Sequence, residues 1–225
     1  MLTDINLRIA PNTVQQQIIE KLRHAIFSGV FKPGEKLVEA ELCNLLGVSR
    51  PSVREALRSL QAEKLISIIP NKGPHISILT WEEATEIYKV RALLEGEAAA
   101  IAAERATEKD IKAMRILLEA FGKAVRRVDP VEEVGSTTEF YKHIFCLCGN
   151  RIIEEMINGL LARINFLRES SMSLPGRSAI SFDEMNAILD AIEKKDNEAA
   201  RFAAVHHVEQ ARLAAYESFK QSQLR

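Results

Sequence analysis

Val48-Ser49-Arg50-Pro51-Ser52-Val53-Arg54-Glu55-Ala56-Leu57-Arg58-Ser59-Leu60 is the stretch on which the reading of the chain depends. Gly47, just before it, suits the left-handed backbone that closes a helix. Ser49 is placed to accept a hydrogen bond from an early helical amide. Pro51 fits the first turn, where its missing donor costs nothing. At about 100° per residue, Val53, Leu57 and Leu60 form one stripe. Arg50, Arg54 and Arg58 lie four apart and form a second stripe beside it. The helix therefore has an apolar flank to seat it and an arginine edge to present. Guanidinium forks match phosphate oxygens and the O6 and N7 edge of guanine. Taken alone, the helix fits two readings: a recognition helix in a DNA groove, or a surface helix with solvated arginines.

Working outward, the flanks favour the first. From Thr13, a plausible cap, Val14, Ile18, Leu22 and Ile26 repeat every four residues, which predicts a helix ending at Ser28-Gly29. Residues 1–10 show no period and read as a loose arm. Phe31 to Leu37 is a turn led by Pro33-Gly34. A short helix is expected over Glu39 to Leu46, with Leu42, Leu45 and Leu46 inward. Two short helices joined through Gly47 make a helix-turn-helix. After the arginine helix, residues 65–69 read as a strand, Asn71 to Pro74 as a turn, and His75 to Ile78 as the return strand. A hairpin there makes a winged helix, with Lys72 and Gly73 beside the DNA backbone. The expected DNA contacts are Ser49, Arg50, Ser52, Arg54, Arg58, Lys72 and Gly73.

The 225 residues suit one large or two ordinary domains, and 47% hydrophobic content supports a sizeable core. The net charge of −1 hides an asymmetry. Residues 1–79 hold 10 Lys+Arg against 7 Asp+Glu, while residues 80–225 hold 20 against 24. A mildly basic head precedes an acidic remainder. Cys43, Cys146 and Cys148 are too few for a disulfide framework and point to a reducing compartment. No signal peptide or long apolar span is legible, so the protein is expected in the cytoplasm, away from membranes.

Residues 13–79 resemble the DNA-binding domain of GntR-type bacterial transcription regulators. The resemblance is carried by Gly29 to Leu37, Leu46 to Arg50, Val53 to Leu60 and the Asn71-Lys72-Gly73 wing. It implies DNA contacts from Arg50, Arg54 and the wing around Gly73. The chain departs from the family at Pro51-Ser52, where Thr-Pro is usual, and at Ala40, where many members carry arginine.

From Trp81 every segment reads helical: 81–105, 107–127, 131–148, 151–170, 180–194 and 197–219, with a loop at 170–178. The fold class is mainly all-α: a winged helix-turn-helix over 1–79, then an antiparallel bundle of about six helices over 80–225. This bundle is similar to the effector-sensing domain of the FadR-type branch. The similarity rests on Arg91 to Glu95, Phe140 to Asn150, Ala187 to Ile192 and Asp196 to His207. Many members of that branch hold a divalent metal with one Asp and three His. The corresponding positions here are Thr137, Tyr141, Met185 and His207, a set too poor in ligands for a zinc-like ion. No metal and no cofactor are expected.

A cavity lined by Thr137, Tyr141, Met185 and His207 remains open as an effector site. Arg91 lies near the apolar stripe of its helix. It either pairs with Glu95, one turn on, or meets an anionic group of an effector. The leading expectation is a homodimeric regulator reading an approximate palindrome of double-stranded DNA, with a small organic acid or acyl effector. A ligand-free structural bundle is the alternative. An enzyme is disfavoured, since no phosphate loop, nucleophile set or carboxylate pair is legible.

Overall fold

The computed structural model describes residues 14–27 and 30–223. The expected arm, the Thr13 cap and the Ser28-Gly29 helix end lie outside them. The chain divides into two compact units, Met1–Ile78 and Leu79–Arg225.

The first unit contains α1 (Val14–Phe27), α2 (Glu39–Leu46), α3 (Arg50–Ala62), β1 (Ile66–Ile69) and β2 (Gly73–Ile76). Ile18, Leu22 and Ile26 of α1 are buried, as are Val53, Ala56, Leu57 and Leu60 of α3. Gly47 closes α2 at φ 66°, and Ser49 caps α3 in extended backbone, so the turn between them is two local devices back to back. Arg23 forks onto Glu63 at 2.8 and 3.0 Å, tying α1 to the end of α3. On α2 only Leu42 is buried, whereas Leu45, expected inward, is 73% exposed and Leu46 half-buried. An eight-residue helix meets its neighbour along one line, and a residue three positions on falls about 60° off that line.

The wing differs in register from expectation. Gly73 and Pro74 belong to β2, not to the turn, and β2 ends at Ile76. The strands are antiparallel, with Ile66 opposite Ile76 and Ile69 opposite Gly73. Asn71 at φ 62° lets three residues close the hairpin, with the Lys72 amide donating to the Ile69 carbonyl at 3.0 Å. The stretch read as a plain turn also supplies an edge. Ile76 donates to Glu35 at 2.8 Å and Leu37 to Pro74 at 2.8 Å, so β2 is hydrogen-bonded on both sides.

The second unit is six helices: α4 (Trp81–Arg105), α5 (Glu108–Arg127), α6 (Pro130–Cys148), α7 (Arg151–Met172), α8 (Arg177–Glu193) and α9 (Asn197–Gln223). Their starts are written locally. Thr80, Thr107, Asp129 and Asn150 each accept from an early amide, and Thr107 with Asp110 forms a full capping box. Asp196 accepts from the Ala199 amide at 2.9 Å at the start of α9. α4 runs through the middle and is alanine-rich because neighbours crowd it. A Cβ on Gly96 would meet Val205 of α9 at 2.8 Å. One expectation needs correction. The expected loop 170–178 shrinks to four residues, because α8 begins at Arg177, after Gly176 at φ 79°.

Candidate nucleic-acid interface and ligand site

In the first unit, Arg50, Arg54 and Arg58 are all exposed on α3, along the flank beside its buried stripe. The Ser49 hydroxyl accepts from the Ser52 amide at 3.4 Å, and the two hydroxyls lie 2.9 Å apart. Arg54 donates through Nε to both carboxylate oxygens of Glu39, at 2.9 and 3.1 Å. This holds the guanidinium by its inner edge and leaves the Nη pair to point elsewhere. Arg58 has only a loose 3.5 Å contact with Glu55. Lys72 is exposed at the wing tip, and Gly73 sits at φ 89°, which a side chain would strain.

In the second unit, Arg91, Thr137, Tyr141, Met185 and His207 are all buried in one helical core. Arg91 is paired: it donates Nε to Glu95 at 2.7 Å, both side chains being essentially inaccessible. Burial would push Arg91 down and Glu95 up, but each holds the other charged. Thr137 donates to the Glu133 carbonyl of its own helix at 2.9 Å. The Tyr141 ring stacks on His207, centroids 5.9 Å apart. His207 shares a 2.7 Å hydrogen bond with Glu184, yet burial holds its imidazole below the ordinary value.

Four further residues join this cluster that the sequence reading did not name: Arg168 on α7 and Arg177, Ser181 and Glu184 on α8. Arg177 donates to Glu184 at 2.7 Å. The Arg168 guanidinium lies over the Tyr141 ring, 5.2 Å from its centroid, and donates to Thr138 and Asn165 at 3.1 Å. Several donors here have no partner: Nη1 of Arg91, Nε of Arg168, Nε and Nη1 of Arg177, and the Tyr141 and Ser181 hydroxyls. Each buried donor left so costs about 1–3 kcal/mol. Guanidinium N–H groups can only donate, so the complement of this cluster is a group that accepts. Among the described residues, no three His, Cys, Asp or Glu side chains gather as a metal-binding set. Arg177, Ser181 and Glu184 share one face of α8 at spacings of four and three. That face was hidden because the helix was expected to start at 180. Arg168 follows buried Ile164 by one turn, a visible signal that the apolar stripe overshadowed.

The family described as "Bacterial regulatory proteins, gntR family" matches residues 14–76, and the FCD domain matches residues 86–210, more than half of the chain. The chain belongs to the GntR family and carries an FCD domain. This GntR protein is 29% identical to the uncharacterized HTH-type transcriptional regulator YdhC of Bacillus subtilis over 198 residues, 88% of each chain. It is 27% identical to the HTH-type transcriptional regulator McbR of Escherichia coli over 207 residues, 90% of this chain and 93% of McbR. The solved structure of E. coli McbR/YncC superposes with a TM-score of 0.79 at 25% identity, covering 92% of this chain and 99% of that one. A Rhodococcus GntR structure has the same fold, with a TM-score of 0.75 at 22% identity over 90% of this chain and 97% of the other. The regulator is thus a DNA-binding transcription factor and not an enzyme. Among its described residues, no helix is long and apolar enough to cross a membrane.

Proposed function

We propose that this regulator binds an approximately palindromic operator as a homodimer and that a small organic acid, held without metal in the FCD core, sets its affinity. Ser49, Arg50, Ser52, Arg54 and Arg58 would face the major groove, with Lys72 and Gly73 on the backbone. The exposure of all three arginines beside a buried stripe that seats the helix supports this orientation. Dimerisation is supported by large apolar side chains left exposed on α4 and α9, among them Leu93 at 73% and Phe202 at 74%. The observation that carries the effector reading is the set of buried, unpartnered guanidinium and hydroxyl donors around Tyr141. An acid that binds one head arrangement better than another changes operator affinity by linkage.

The test begins with duplexes selected from a random pool, followed by fluorescence anisotropy on the full chain. Arg54→Ala is expected to reduce affinity by about 1–3 kcal/mol or more, with an unchanged thermal melt. The wild-type complex should weaken steeply with salt, because phosphate contacts release counterions. An Arg54→Ala protein that binds as tightly as wild type would overturn the assignment of α3. For the effector, carboxylic acids that shift both the melt and the anisotropy support the reading. A full acid panel without any shift removes it and leaves a structural bundle.

A further inference from the structure

Of the three arginines on α3, Arg54 is fastened to another helix. Its Nε donates to both carboxylate oxygens of Glu39, the first residue of α2, at 2.9 and 3.1 Å. Arg58 has only its loose contact within α3, at 3.5 Å. The two members of the Arg54–Glu39 pair are unequally enclosed: the Glu39 side chain is 29% exposed and that of Arg54 63%. Glu39 is therefore the anchor, and Arg54 is the member being aimed. Ala40, next along α2, brings no rival cation to the carboxylate. An ion pair this open adds little to stability. Its consequence lies in where the guanidinium points.

A free arginine can fork through Nε and one Nη, or end-on through both Nη groups. With Nε taken, the end-on fork remains, and among the described residues nothing holds the two Nη groups. Two coplanar donors match the O6 and N7 of guanine. Fixing the side chain beforehand also reduces the rotamer freedom lost on contact. The carboxylate acts on the choice of partner as well. A phosphate brought to Arg54 also approaches Glu39 and is repelled, whereas a guanine edge carries no net charge.

We propose that Glu39 is a specificity-determining residue of the DNA-binding unit: it holds Arg54 as an end-on fork that reads a guanine and keeps it from settling on phosphate. The proposal rests on α3 lying in the major groove, as read above, and adds the residue that makes Arg54 selective. Glu39 acts through Arg54 and is a positioning residue.

Fluorescence anisotropy on the full chain tests this with three sets of duplexes: the selected one, its variants with each guanine of a half-site replaced in turn by adenine, and an unrelated duplex of the same length. In wild type, replacing the guanine that Arg54 reads is expected to cost roughly tenfold to a hundredfold in affinity, and in Arg54→Ala that sensitivity vanishes. Glu39→Gln keeps the side-chain length and removes the charge. It should lose most of the same guanine sensitivity and bind the unrelated duplex more tightly. On that duplex its log–log salt slope should steepen by about one per recognition helix, as the released arginine takes up a phosphate. Its thermal melt should match wild type. In the Arg54→Ala background, Glu39→Gln should change guanine sensitivity no further, because no fork is left to aim. Full guanine sensitivity in Glu39→Gln overturns the proposal, while Arg54→Ala still decides the major-groove reading. An affinity loss shared equally by all duplexes, with a lowered melt, makes Glu39 a structural residue and also overturns the proposal. Wild-type binding and guanine sensitivity in Arg54→Ala remove the α3 reading and the proposal with it.

Discussion

Among single residues, Glu95 has the most depending on it. It neutralises Arg91 in the middle of α4, where neither side chain reaches water. Removing one member of a buried pair costs about 3–5 kcal/mol, because the other stays buried and charged. Glu95→Gln is therefore expected to shift the urea midpoint down by a corresponding amount. The double change Arg91→Met with Glu95→Leu should recover most of that loss, since no charge is then stranded. Glu169 behaves in the opposite sense. Its folded carboxyl titrates at about 7 against an ordinary 4.5, so the folded state holds the proton more tightly. Below about 4.5 both states are protonated and folding is unaffected. As pH rises to about 7 the unfolded chain ionises first and stability is lost. Glu169→Gln should melt like wild type near pH 4 and higher than wild type at pH 8, with the gap opening between.

At the scale of elements, the wing shows how backbone geometry controls contact. Gly73 at φ 89° begins β2 directly after the Lys72 tip, and nothing lies within 4 Å of a Cβ placed there. The penalty of Gly73→Ala is therefore backbone strain alone, about 1–2 kcal/mol. A small drop in melting temperature is expected, with a larger drop in operator affinity as the tip is re-aimed. Anisotropy and calorimetry on the same sample separate the two. In α3 the serine cap, the early proline and the buried stripe are consecutive residues, so this helix was legible from the chain alone. The strand register was not. Reading Gly73-Pro74 as a turn followed local habit, whereas pairing on both edges of β2 fixes where the strand begins and ends. Leu45 was misread for a related reason: a short helix shows which residues are apolar but not how wide a face its neighbour covers.

At the scale of the whole molecule, the proposed homodimer gives a direct measurement. Sedimentation of the full chain should return twice the chain mass, and Phe202→Glu should return the single mass with weakened operator binding. A single mass for wild type at micromolar concentration would remove the palindrome argument. The helical count of the second unit was readable from Trp81 onward, and the family from the helix-turn-helix and wing before it. Helical period, caps and breakers are each contained within a few neighbouring residues, and covalent order alone brings those together. Thr137, Tyr141, Met185 and His207 were picked out by the family pattern and are buried together. Arg168, Arg177 and Glu184 were not picked out, and the charge logic of the core depends on them. Arg91 and Arg177 find their carboxylates within their own helices, at Glu95 and Glu184, but that Arg168 is left facing a tyrosine depends on α6 and α7 packing together, as where Arg168 meets Thr138, 30 residues away. That choice is made only when α6, α7 and α8 close around α4, because distance in space, not position along the chain, sets the Coulomb and desolvation energies that distinguish a paired charge from a stranded one.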